Sequence, residues 1–228
     1  MGVRVLTIKE NILGANQELA KTNQELLNKH GILAINIMSS PGSGKTSLIL
    51  QTISRLKDKA RAAVIEGDVA STVDADKINE RGIPVVQINT AGGCHLDANM
   101  TASALGNLPL SDIDLLLIEN VGNLICPAEF ALGDHKRVML LSTPEGHDKP
   151  HKYPLMFTGA DVILINKLDL LPHLDFDMTV FTEAVSGLNP TAKILPVSCK
   201  TGDGLEDWFS WLEAEITRIK RPHLPESG

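Results

Sequence analysis

Seven short apolar runs punctuate the chain: ILAINIM (32–38), RAAVIEG (61–67), PVVQINT (84–90), DLLLIEN (114–120), RVMLLST (137–143), DVILINK (161–167) and KILPVS (193–198). Helix-compatible stretches such as KTSLILQTISRLK, VDADKINERG and LEDWFSWLEAEITRIK lie between or after them. A strand that is apolar throughout has to be covered on both faces, and parallel strands need a crossover long enough to hold a helix. The pattern therefore predicts an α/β fold, a doubly wound, mainly parallel sheet flanked by helices, with ligands gathering at the carboxyl ends of the strands. At 228 residues, 43% of them hydrophobic, the chain suffices for one sizeable core. Ahead of it, residues 10–29 space Ile12, Leu13, Leu19, Leu26 and Leu27 as a surface helix does, with Gly14 as its weak point. The expected organisation is an N-terminal segment 1–30 whose helix packs on the domain, a main domain over 31–220, and a flexible tail at 221–228.

Charge and cysteine usage narrow the partners. A formal charge of -7 argues against nucleic acid and against anionic membrane surfaces. No apolar run approaches the roughly 18 residues of a membrane span, and the start, MGVRVLTIKENILGANQEL, has no sustained apolar segment of the secretory kind. Three widely spaced cysteines make no disulfide framework, so the expected compartment is a reducing cytoplasm with thiols free for other chemistry.

After the first apolar run comes SSPGSGKTSLIL (39–50). The phosphate-loop pattern G-x-x-x-x-G-K-S/T is met at Gly44, Lys45 and Thr46, with Ser39 in the first glycine position. A phosphate cradle needs a tight turn of backbone N–H groups running into a helix N-terminus, which Pro41, Gly42, Ser43 and Gly44 supply and Ser47 continues. Lys45 brings the positive charge and Thr46 a hydroxyl for Mg²⁺. The competing reading is an ordinary glycine-rich strand-to-helix turn. The placement between a buried strand and an amphipathic helix favours the cradle, and with it a P-loop NTPase fold.

NKLD (166–169) follows DVILI in the N-K-x-D order of guanine-binding loops. A carboxylate at Asp169 can accept hydrogen bonds from guanine N1–H and the 2-amino group, which adenine does not offer in that arrangement. GTP is therefore the expected nucleotide, with Asn166 bracing the loop and the stem of Lys167 available to cover the base. SCKTG (198–202), carrying Ser198, Cys199 and Lys200, resembles the loop that completes such pockets. GTP hydrolysis also wants Mg²⁺ beside the phosphates and a loop that senses the γ phosphate. Asp68 in VIEGDVAST and Glu119 in LLLIENVGN end two of the strands, and Gly122 gives the second an E-x-x-G spacing. Either acid could instead be a helix cap or a solvated strand end. Asp74 and Asp76 read better as early-helix acids, with Asp74 an outside candidate.

Cys94 and His95, in NTAGGCHLDANMT, lie just beyond the strand PVVQINT, and Cys126 follows the Gly122 turn. Two thiols and an imidazole favour Zn²⁺ or Ni²⁺ over Mg²⁺. Taken alone, these residues are equally compatible with packing, since a buried Cys often acts as a small hydrophobe. His147 and His151 read as solvated loop residues, and Cys199 has no metal role.

Together, SSPGSGKT, EGDVAST, GGCHLDANM, ENVGNLICPAEFALG, NKLDLL and SCKTG closely resemble the hydrogenase nickel-incorporation GTPases, the HypB family, from about residue 10 to 219. CHLD and ENVGNLICPA are the most specific parts of that likeness. The resemblance implies a GTPase and metallochaperone that binds nickel and zinc and assists nickel delivery to the large subunit of nickel–iron hydrogenase. Cys94, His95 and Cys126 match the family's metal positions. A GTP-dependent homodimer and contacts with other hydrogenase maturation proteins are implied in the same way. Residues 1–30 hold no Cys and only His30, so the storage function of Cys-rich or His-rich N-termini is not expected, and LDANMTASAL lacks the extra histidines of a larger cluster. A urease-maturation-type GTPase and a metal-binding nucleotide switch with little turnover are the alternatives. Slow hydrolysis is expected in any case, because no arginine finger or positioning glutamine is assignable.

Overall fold

The structure, a computed structural model, describes residues 8–68 and 72–220. In chain order the elements are α1 (Ile8–His30), β1 (Leu33–Ser39), α2 (Lys45–Leu56), β2 (Ala62–Asp68), α3 (Val73–Asn79), β3 (Val85–Asn89), α4 (Ala98–Leu105) and β4 (Leu115–Glu119). There follow α5 (Cys126–Glu129), β5 (Lys136–Ser142), α6 (Lys149–Lys152), α7 (Pro154–Thr158), β6 (Val162–Asn166), α8 (Met178–Leu188), β7 (Lys193–Pro196) and α9 (Leu205–Lys220). Each of the seven apolar runs is a strand, and all pair in parallel in the order β3-β2-β4-β1-β5-β6-β7. The expected tail at 221–228 lies outside the described residues.

Because side chains alternate along a strand, each strand feeds two cores. Leu33, Ile35 and Ile37 of β1 pack with Leu48, Ile49 and Ile53 of α2 and with Trp208 and Leu212 of α9 on one face. On the other face Ala34 joins Leu27 of α1 and Leu105 of α4, while Met38 joins Phe157 of α7 and Phe181 of α8. Trp208 is fully buried and its indole N–H donates to Thr52 Oγ1 at 2.9 Å, so the largest apolar side chain of the first core also satisfies its polar atom.

The helix α1 is fixed by amides as well as by Leu27. Asn23 Nδ2 donates to Ala98 O at 2.8 Å and to Leu132 O at 2.9 Å, using both of its hydrogens. Asn16 accepts from Ala98 N and donates to Ala131 O, each at 2.8 Å, and Gln24 donates to Asp134 O at 3.0 Å. These links tie α1 to two separate stretches of the chain, beside the burial of Ala20 and Leu27. No helix among the described residues is long and apolar enough to cross a membrane.

Candidate nucleotide and metal site

Between Ser39 and Lys45 the chain turns from β1 into α2, and Gly44, at φ 104°, caps the helix in the left-handed region. A side chain at Gly44 would run into the Asn166 amide, so glycine is required by both backbone and neighbour. The N–H groups of the first turn of α2 and its dipole make this end a seat for anions. Lys45 is buried, and its Nζ donates to Ser39 Oγ at 3.1 Å, so the serine in the first glycine position orients the lysine. Burial lowers the Lys45 pKa, against the opposing pull of Glu119, Asp74, Glu145 and Glu66. From the β5 side Glu145 Oε1 accepts from Ser43 Oγ at 2.7 Å and from Ser142 N at 2.7 Å, and Ser40 Oγ reaches its other oxygen.

A cleft of about 530 Å³ opens above this loop, and Lys45, Thr46, Asp68, Glu119 and Gly122 line it together with Pro41, Gly42, Gly44 and Ser47. Thr46 Oγ1 donates to Glu119 Oε1 at 3.1 Å. Burial pushes Glu119 up to about 7, with Lys45 and the Thr46 hydroxyl opposing. Glu66 also lines the cleft and is pushed up to about 8, by burial first and then by Glu119 beside it. Asp74 is at the rim, paired with Lys77 at 2.7 Å. The chemistry of this set suits a hydrated Mg²⁺, which is held by one or two carboxylates, a hydroxyl and nucleotide phosphates. One oxygen each of Glu66 and Glu119 is buried with no hydrogen-bond partner among the described residues, a costly state unless a cation or its waters satisfy it.

The NKLD and SCKTG loops meet behind the phosphate loop. Asn166 Nδ2 donates to Ser43 O at 2.8 Å and its Oδ1 accepts from Cys199 N at 3.0 Å, so a single amide joins three loops. Lys167, left-handed at φ 62°, extends its Nζ to Gly42 O at 2.7 Å. Asp169 Oδ1 accepts from Ser198 Oγ at 2.6 Å, and Lys200 Nζ lies 3.9 Å from the other oxygen. Burial raises the Cys199 thiol to about 11, which leaves it an inert packing group.

At the neighbouring strand ends Cys94, His95 and Cys126 come together, their ligand atoms all within 4.8 Å of one another. Cys94 Sγ is 2.8 Å from Cys126 Sγ and 3.5 Å from His95 Nδ1, and both cysteines are free thiols. The His95 ring stacks on Phe130 with centroids 3.9 Å apart, which fixes its plane, and burial lowers its pKa toward the neutral, ligating form. The Cys126 thiol is raised, first by its hydrogen bond with Cys94 and then by burial. A divalent cation reverses that preference, since both sulfurs then bind as thiolates. No other such group of three occurs among the described residues. His147 accepts from Asp177 N at 3.1 Å and meets the Phe176 ring edge-on, and His151 is exposed.

The segment after β4 touches both sites. Asn120 Oδ1 accepts from Leu96 N at 3.1 Å and from Val121 N at 2.9 Å, tying the Cys94–His95 loop to the end of the strand. At Gly122 a Cβ would stand 2.9 Å from Pro41 Cα, so only glycine lets this turn lie against the phosphate loop. Asn123 N donates to Ser39 O at 2.8 Å, and Cys126 opens α5.

Glu66, Asn120 and Glu145 were not singled out by motif. Glu66 had a signal: it is the one charged side chain inside RAAVIEG after Arg61, a run otherwise fit for burial on both faces. Asn120 and Glu145 belong to no spacing pattern, because their partners lie in distant loops.

Comparison with known proteins adds four findings. The model of the CobW/HypB/UreG nucleotide-binding domain matches residues 33–196. Hydrogenase maturation factor HypB of Escherichia coli K12 is 46% identical over 212 residues, covering 93% of this chain and 73% of that one. Among solved structures, HypB from Archaeoglobus fulgidus superposes with a TM-score of 0.84 at 42% identity, covering 89% of this chain and 99% of that one. HypB from Helicobacter pylori in complex with nickel gives 0.86 at 38% identity, covering 92% and 98%.

Proposed function

Since the chain belongs to the HypB branch of the CobW/HypB/UreG family, we propose that it is a GTP-hydrolysing metallochaperone that carries nickel for hydrogenase maturation. The observation that carries this reading is the Cys94–His95–Cys126 cluster, seven residues beyond Glu119 by way of Cys126, on the strand end that lines the nucleotide cleft. The cluster binds Ni²⁺ as cargo and accepts Zn²⁺ as well, because two thiolates and an imidazole suit either ion. The phosphate loop, Lys45 and the α2 N-terminus take the GTP phosphates, and Asn166, Lys167, Asp169 and the 198–200 loop take the base. Thr46, Asp68 and Glu119 would hold Mg²⁺, which supplies charge neutralisation at the β and γ phosphates. The Gly122 N–H reports the γ phosphate, and Asn120 passes the change to the metal loop. Residues 31–220 act as the GTPase unit, with the helix α1 as its N-terminal brace. The working form is cytoplasmic and dimerises on GTP, meeting other maturation proteins and the hydrogenase large subunit.

Specificity for guanine rests on Asp169. Asp169→Asn presents an N–H to the guanine 2-amino group, so GTP affinity falls by about 10- to 100-fold, the value of a lost charge-assisted hydrogen bond, while xanthosine triphosphate gains. Competition binding with GTP, ATP and xanthosine triphosphate measures this, and an unchanged preference defeats the assignment. The two sites are tested together by titrating nickel calorimetrically into the GDP form and a GTP-analogue form. The expected ratio of affinities is roughly 5–150, and nickel must shift nucleotide affinity by the same factor. Equal nickel affinity in both forms removes the coupling.

A further inference from the structure

Glu66 and Glu119 are direct register partners on the adjacent parallel strands β2 and β4. Two residues earlier on each strand, Val64 and Leu117 pack in the core beneath α2, so by strand alternation the two glutamates continue that face to its upper end. There they face the first turn of α2, where Thr46 holds one oxygen of Glu119. Glu66 is 3% exposed and Glu119 5%. Each keeps one buried oxygen without a hydrogen-bond partner among the described residues, and both line the cleft that also contains Lys45 and Asp68. Of the two, only Glu119 fills a position that the nucleotide motifs specify.

Two neighbouring carboxylates, each with an unsatisfied oxygen, are a poor structural device: an apolar pair would fill this strand-end position without the desolvation cost. Lys45 offsets part of this negative charge through space, but its hydrogen bond goes to Ser39, so it satisfies neither of the two orphaned oxygens. Mg²⁺ dehydrates reluctantly and keeps several waters, so its protein partners commonly bind those waters. We infer that Glu66 is a further carboxylate seat for nucleotide-bound Mg²⁺, beside Asp68 and Glu119, holding the cation's coordinated waters jointly with Glu119. This rests on the guanine-nucleotide reading above. Glu66 acts as a positioning residue here: it touches neither phosphate nor attacking water and works through the cation's hydration shell.

The test is a Mg²⁺ titration of GDP affinity in the full-length chain, read with a fluorescent GDP analogue, in the parent and in Glu66→Gln. Loss of a partner in the outer shell of a metal commonly weakens its binding by about 10- to 100-fold. The Mg²⁺ midpoint should rise by that factor, while GDP affinity in EDTA is no weaker than the parent's. The metal-free melting temperature should hold or rise, since an unpaired buried acid has been made neutral. A structural acid would instead lower the melting temperature and leave the Mg²⁺ midpoint in place, and that result overturns the inference. If Glu66→Gln does not fold, Glu66→Asp, which keeps the charge but retracts it, should shift the midpoint upward, and an unmoved midpoint there is equally fatal. If the parent binds GDP with no response to Mg²⁺, the nucleotide reading itself falls. If the parent responds and the variant matches it, the role of Glu66 alone falls.

Discussion

Lys45→Ala should lower GTP turnover by roughly 10²–10³-fold, the scale on which loss of a preorganised electrostatic contact acts. The reason is local. Glu66, Asp68, Asp74 and Glu119 all line the cleft proposed to take the phosphates, and among the described residues Lys45 is the buried cation that faces them. Lys77 is at the rim and already paired with Asp74. Without Lys45 the phosphates meet carboxylates with less positive charge between them, so nucleotide affinity drops along with the rate. Lys45→Arg should rescue little, since the guanidinium is larger and its fork does not fit the single contact with Ser39. Phosphate release under single-turnover conditions measures the effect. Turnover at the parent rate in Lys45→Ala means that the phosphate loop has been misplaced.

The second large effect concerns the cargo. Cys94→Ala, His95→Ala and Cys126→Ala each remove one of the three side chains proposed to ligate nickel, and nickel affinity should fall by more than the ~10- to 100-fold that an outer-shell loss produces. Zinc affinity should follow. Guanine-nucleotide binding in the absence of nickel should stay close to the parent value, because none of the three side chains lines the phosphate cleft. Equilibrium titration with nickel against a competing chelator gives the numbers. Parent-like nickel affinity in all three variants reduces the cluster to packing.

Much of the scaffold was legible in the sequence because burial on two faces leaves a plain mark. A run such as DVILI admits few alternatives when helices flank it. The short helices were harder to read, although α5, α6 and α7 each carry proline at the start, where a missing N–H costs nothing. The phosphate and guanine loops were readable because their chemistry needs fixed spacings. Asn120 was not, since its role depends on Leu96 N, brought near only by the packing of two strand ends. The amides of α1 were hidden for the same reason: Asn16 and Asn23 sit among polar residues of a surface helix, and nothing nearby in sequence marks their partners.

Those amides couple the first helix to the Cys94–His95 and Cys126 loops. Asn16 and Asn23 bond to Ala98, just behind the Cys94–His95 loop, and to Ala131 and Leu132, just behind Cys126. The spacing of Cys94, His95 and Cys126 is thus braced from α1, which precedes every element that lines the phosphate cleft. No described residue of α1 lines the phosphate cleft, so this bracing reaches the Cys94–His95 and Cys126 loops from outside the cleft. A change at Asn16 or Asn23 would therefore reach the loops that carry Cys94, His95 and Cys126 while leaving every side chain that lines the phosphate cleft in place.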